Sequence, residues 1–138
     1  MSATGAAQKL TLEMLGLPED GLVQEFGYDD DVDFDLRDSL EDLLGSELLD
    51  EDDQEIVDGV LLWWRSDDGD LVDGLMDVLA SIDDGGVIWL LTPKSGRQGY
   101  VSPADVLHAA PLAGLRVTTT ESLAQEWTAT RLISHQGK

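Results

Sequence analysis

Residues 56–97 read IVDGVLLWWRSDDGDLVDGLMDVLASIDDGGVIWLLTPKSGR, and the period of their apolar residues changes twice along that string. Val60-Leu61-Leu62-Trp63-Trp64 and Val87-Ile88-Trp89-Leu90-Leu91 are short, unbroken apolar runs. Runs of this kind suit strands covered on both faces, as in a parallel sheet flanked by helices. Between them Leu71, Val72, Leu75, Met76, Val78, Leu79 and Ile82 recur at helical spacing, with Asp70, Asp73 and Asp77 on the opposite side. Ser66, Asp67 and Asp68 offer capping oxygens at the start of that helix, and Gly85 a left-handed turn at its end. The stretch therefore reads strand, helix, strand, a unit whose crossover is right-handed in nearly all proteins. The expected fold class is α/β.

Working outward, the chain of 138 residues is read as one domain over 1–138, with 1–5 and 134–138 flexible. Ala6 to Leu17 is a short amphipathic segment, expected as a brief helix across the sheet edge or bottom. Leu22 to Phe26 reads as the first strand, ending at Gly27. Asp29 to Asp35 carries five aspartates, but an EF-hand loop needs glycine at its sixth position and glutamate at its twelfth. Counted from Asp29 those places hold Phe34 and Leu40, and from Asp31 Leu36 and Asp42. The acids instead open a helix with Leu36, Leu40, Leu43 and Leu44 inward and Gly45 beyond its end. Ser46 to Leu49 is a candidate short strand before the acidic loop Asp50–Asp53. After the central unit, Ser102-Pro103 caps and opens a further helix, expected to bend or break at Pro111. Leu115–Thr120 and Trp127–Ile133 read as final strands antiparallel to each other.

Charge is the unusual property. The chain holds 29 acidic and 8 basic residues, a formal net of -21. Glu19 to Asp84 carries 25 acids against two bases, whereas Gly85 to Lys138 carries three acids against five bases. Such a field repels phosphates and anionic lipid, which argues against direct nucleic-acid or membrane binding. The acidic half reads either as a docking face for a basic protein partner or as a solvated surface, kept for solubility or for high salt. The absence of cysteine removes thiol catalysis, disulfides and thiolate metal sites. No signal-like or membrane-length apolar run is present, so a cytoplasmic location is expected.

Few residues suggest chemistry. Ligands of open α/β sheets bind beyond the carboxyl ends of the strands, and Arg65, Lys94 and Arg97 fall there. With the backbone amides of Ser95 and Gly96 they form a candidate anion site, the alternative being that these cations neutralise acids such as Asp67 and Asp68. Trp63, Trp64 and Trp89 are candidate anchors or core. Adjacent strand residues face opposite ways, so Trp63 and Trp64 cannot share a pocket. His108 and His135, without cysteine or a paired base, build no acyl-transfer or metal-hydrolase constellation.

Four stretches together carry a family resemblance: Gly21–Asp33 (GLVQEFGYDDDVD), Val60–Arg65 (VLLWWR), Gly86–Lys94 (GVIWLLTPK) and Trp127–Leu132 (WTATRL). Along nearly its whole length the chain resembles the actinobacterial branch of an uncharacterised bacterial family, DUF3052. The resemblance implies a small three-layer Rossmann-like domain with no established activity and no functional residues to carry over. The second half also resembles a class I methyltransferase, which implies a mainly parallel sheet closed by an antiparallel C-terminal edge. Such enzymes place a glycine-rich loop after the first strand. Here Glu25-Phe26-Gly27-Tyr28-Asp29-Asp30 offers one glycine beside a bulky aromatic, so no cofactor is expected. The expected function is that of a non-catalytic acidic adaptor or regulator. The alternative is a degenerate methyltransferase-like domain holding a small anionic or nucleotide ligand at Arg65, Lys94 and Arg97.

Overall fold

A computed structural model describes residues 11–134, with the exception of Gln54, Ser122 and Gln125. Nine elements succeed one another among them: α1 (Leu12–Leu15), β1 (Val23–Phe26), α2 (Phe34–Leu44), β2 (Val57–Trp63), α3 (Leu71–Leu79), β3 (Ile82–Pro93), α4 (Pro103–Leu112), β4 (Leu115–Glu121) and β5 (Trp127–Ser134). The sheet runs β1-β2-β3-β5-β4. β1, β2 and β3 are mutually parallel, and β5 is antiparallel to both β3 and β4. The fold is the expected α/β arrangement, with the antiparallel strand inserted at the C-terminal side.

The unbroken apolar runs are explained by a sheet covered on both faces. Leu61, Trp63, Val87, Trp89 and Leu91 pack with Leu15, Leu36, Leu40 and Leu44 on one side. Val60, Leu62, Ile88 and Leu90 pack with Leu71, Leu75, Val78, Val106 and Ala110 on the other. The strand period of two sends neighbours to opposite layers. Trp63 is therefore fully buried beneath α2, while Trp64 lies half-buried against α3, its ring over Gly74. A Cβ on Gly74 would come within 2.6 Å of that ring, so the glycine makes room for it.

Local sequence accounts for the helix ends. The Asp33 carboxylate accepts from the Leu36 amide at 2.9 Å and caps α2, which closes at Gly45 with φ +75°. The Ser102 hydroxyl accepts from the Asp105 amide at 3.2 Å and caps α4, with Pro103 in its first turn.

Several expectations need correction. Asp70, not Ser66, Asp67 or Asp68, holds the N-cap position of α3, without a side-chain capping bond, and the Asp68 carboxylate instead accepts from the Arg65 amide at 2.9 Å. The helix stops at Leu79 with Ala80 still right-handed, so Ile82 and Gly85 belong to β3. The cause is sheet pairing: Val57 donates to the Ser81 carbonyl and faces Ile82 across the ladder, which captures residues the helical period would have continued. Pro111 does not break α4, which continues through it to Leu112. It sits in the last turn, one residue before the helix ends. The brief N-terminal helix is a single turn, Leu12–Leu15, and the rest of Ala6–Leu17 up to residue 10 lies outside the described residues, as does His135. Ser46–Leu49 contributes only a bridge between Leu49 and Gln24.

That bridge positions the site. Leu49 pairs in parallel with β1 on the edge away from β2. The chain thus leaves β1 through α2 toward one side, touches the sheet at Leu49, and returns to form β2 on the other side of β1. From there it continues through α3 on the opposite face. The reversal makes the carboxyl ends of β1 and β2 the topological switch point, where open α/β sheets hold their ligands.

Candidate functional site

Gly27 ends β1 with φ +79°, and a Cβ there would lie 2.2 Å from the Trp63 carbonyl oxygen. Only glycine permits so close an approach of the two strand ends. The space that approach leaves is taken by Arg65, the second residue after Trp63, in a turn closed by Asp68. Its Nη1 donates to the Gly27 carbonyl at 2.7 Å and to the Trp63 carbonyl at 3.2 Å. Nε donates to Asp31 Oδ2 at 3.1 Å, and Nη2 bonds Asp31 Oδ1, so the fork grips one carboxylate with two donors. Asp68 lies 3.6 Å away as a further counter-charge. The side chain is only 11 % exposed. Burial by itself would lower the Arg65 pKa, but the hydrogen bonds and charges of Asp31 and Asp68 outweigh it and raise it. The same hydrogen bond holds Asp31 below the usual aspartate range.

Beneath Arg65 lies an aromatic floor. Its guanidinium carbon is 5.2 Å from the Trp127 ring, and that of Arg97 is 5.7 Å from the same ring. Trp127 donates to the Asp31 carbonyl at 3.2 Å and meets Trp63 edge to face, ring centres 4.9 Å apart. The Trp63 indole donates to Glu25 Oε2 at 2.9 Å. Glu25, buried in β1, is gripped in turn by Arg37 at 2.6 and 2.9 Å. The two bases of the acidic segment thus secure the two ends of one network, Arg37–Glu25–Trp63–Trp127–Asp31–Arg65. Glu25, Asp31 and Trp127 were not singled out in the sequence. The signal available was the scarcity of bases there, since each lone arginine in a field of acids implies a chosen partner.

On the α3 side of Arg65 a recess of about 380 Å³ stays open, and Asp29, Glu51, Asp68 and Asp77 stand around it. Beside it Tyr28 and Phe34 are half-exposed and stack edge to face at 6.1 Å, with Arg37 over the Tyr28 ring.

The five residues of the candidate anion site do not converge on one opening. Arg65 borders the acidic recess. Arg97 pairs with Glu126 at 2.8 Å, and Gly96 at φ +90° faces open space. Lys94 and Ser95 border a different cavity, of about 470 Å³, between α4 and the ends of β3, β4 and β5. His108 is exposed on α4. Among the described residues no helix is long and apolar enough to cross a membrane.

The architecture has relatives. Two uncharacterised mycobacterial proteins, from Mycobacterium tuberculosis and Mycobacterium bovis, are each 49 % identical to this chain over 124 residues, covering 90 % of it and 78 % of their own length. Among solved structures, the O-methyltransferase NcsB1 of neocarzinostatin biosynthesis, in complex with S-adenosylmethionine and a naphthoic acid, superposes with a TM-score of 0.59 at 15 % identity. The match covers 91 % of this chain, which spans only 51 % of that enzyme's length. A SAM-dependent methyltransferase from Aquifex aeolicus gives 0.56 at 14 % identity, covering 88 % of this chain and 86 % of that one. At these identities the likeness is one of fold. Residues 12–136 match the model of a protein family of unknown function, and the chain belongs to that family, DUF3052.

Proposed function

We infer that this domain is a non-catalytic adaptor of methyltransferase-like fold, which binds a basic protein partner at the acidic rim of its switch point. The observation that carries the reading is the seat of Arg65. Its guanidinium occupies the place where the fold would admit a cofactor, bonded to the carbonyls of both strand ends. A phosphate or nucleotide brought to the neighbouring recess would meet Asp29, Glu51, Asp68 and Asp77, so a phosphate-bearing ligand is disfavoured there. A lysine or arginine of a partner would instead find four carboxylates and, beside them, the Tyr28–Phe34 pair to pack on. Exposed aromatics ringed by charge are the usual anchors of protein interfaces, and the long-range field would speed encounter with a basic surface.

The test is affinity capture from the native cell with wild type, Phe34→Ala and Asp77→Lys. At about 0.1 M salt the wild type should retain a partner that both variants lose, and about 1 M salt should release it, as the Debye length falls from about 10 Å to about 3 Å. A captured protein indifferent to salt and to Asp77→Lys would sink the reading. So would calorimetry showing micromolar S-adenosylmethionine binding to the wild type.

A further inference from the structure

The other edge of the sheet, toward β5 and β4, carries a second feature, independent of the acidic rim. Thr92 of β3 lies directly across from Thr128 of β5, and Thr120 of β4 from Thr130 of β5. Because Leu90 and Leu132 face α3 and α4, the strand period points Thr92, Thr128 and Thr130 to the same side. All four threonines border the 470 Å³ cavity under the start of α4. Thr92 and Thr130 are buried residues, Thr128 is half-buried and Thr120 is exposed. Four hydroxyls on one wall offer donors and acceptors to an occupant of the cavity.

The rest of the wall defines what that occupant is. Val101, Val106, Leu107 and Val117 give it apolar sides. At the mouth stand the half-buried Lys94, the exposed Ser95 and Pro103 at the start of α4. This is also the half of the chain where bases exceed acids. The volume lies within the range of small-molecule sites.

We propose that the cavity between α4 and the ends of β3, β4 and β5 is a binding site for a small monoanion with an apolar body, such as an aryl or alkyl carboxylate. The apolar body lies along Val106 and Val117, the threonine hydroxyls meet its polar atoms, and the carboxylate points to Lys94 and Ser95. The site is separate from the rim proposed above, and neither reading requires the other.

Titration of the isotope-labelled full chain with 4-phenylbutyrate, 4-phenylbutanol and 4-phenylbutylammonium tests it by amide chemical shifts. The carboxylate should move Thr92, Ser95, Val106 and Thr130 and bind tightest of the three, the ammonium weakest. Thr130→Val, which keeps the shape and removes a hydroxyl, should weaken the carboxylate by about five-fold. Leu107→Trp adds bulk at a position that is 60 % exposed, so folding is undisturbed, and it should block entry. Equal binding of the three probes, shifts confined to other residues, or unchanged affinity in both variants would overturn the proposal.

Discussion

Arg65 Nη1 stands 2.7 Å from the carbonyl oxygen of Gly27, tying the second residue after β2 to the residue after β1. The bond spans the point where the chain reverses its direction across the sheet, and Asp31 and Asp68 hold the charge in place. The strand ends that form an opening in ligand-binding α/β sheets are here fastened together by a side chain of the protein itself.

Replacing Arg65 tests that fastening. Arg65→Ala leaves two carbonyls and the Asp31 carboxylate without their donor, at a cost of about 1–3 kcal/mol once the exposure of Asp31 is allowed for. Arg65→Lys should recover only part, since an ammonium cannot reproduce the fork. Urea unfolding of the three proteins measures it.

Glu25 and Arg37 form the more buried pair. Arg37→Ala strands the Glu25 carboxylate, and a loss of about 3–5 kcal/mol is expected. The double change Glu25→Leu with Arg37→Met should lose far less, because neither desolvated charge remains. A double change as costly as Arg37→Ala alone would show that the pair itself, rather than the orphaned acid, carries the stability.

Gly27→Ala and Gly45→Ala separate conformation from contact. Both glycines have φ near +75° to +79°, but a Cβ at Gly45 meets nothing within 4 Å. Gly45→Ala should cost about 1 kcal/mol, the left-handed penalty alone. Gly27→Ala must also move the Trp63 carbonyl, so its midpoint should fall clearly further in the same denaturation series.

Acid should act on Asp31 with a defined sign. Its carboxyl is held below the ordinary value of 3.8 by the Arg65 hydrogen bond. The folded state therefore gains stability from it above pH 3.8, and that gain is lost as pH falls toward the depressed folded value. The stability difference between wild type and Asp31→Asn should stay constant from neutral pH to that point and shrink below it. A difference that shrinks already between pH about 7 and about 5 would place the linkage on another group, since an unperturbed aspartate titrates near 3.9.

The architecture was legible because it rests on periodicity. Val60–Trp64 and Val87–Leu91 had to be doubly covered strands, and Leu36, Leu40 and Leu44 had to share a helix face. Caps at Ser102 and Gly45 were equally readable, since capping is a contact between residues three or four apart. The end of α3 was not, because the ladder between Val57 and Ile82 joins residues 25 apart in sequence and overrides the helical pattern.

Sequence by itself therefore determined the class of fold, the two-sided core and the segregation of acid from base, all properties of pattern and composition. Tertiary structure alone decided which charges meet. Arg65 reaches Asp31, Glu25 reaches Trp63, and four threonines from three strands reach one cavity. Such pairings join residues up to 38 positions apart, through the ladder register and the return of the chain past Leu49. Among 29 nearly interchangeable acids no spacing marks the few that pair, because partner choice is set by distance in space.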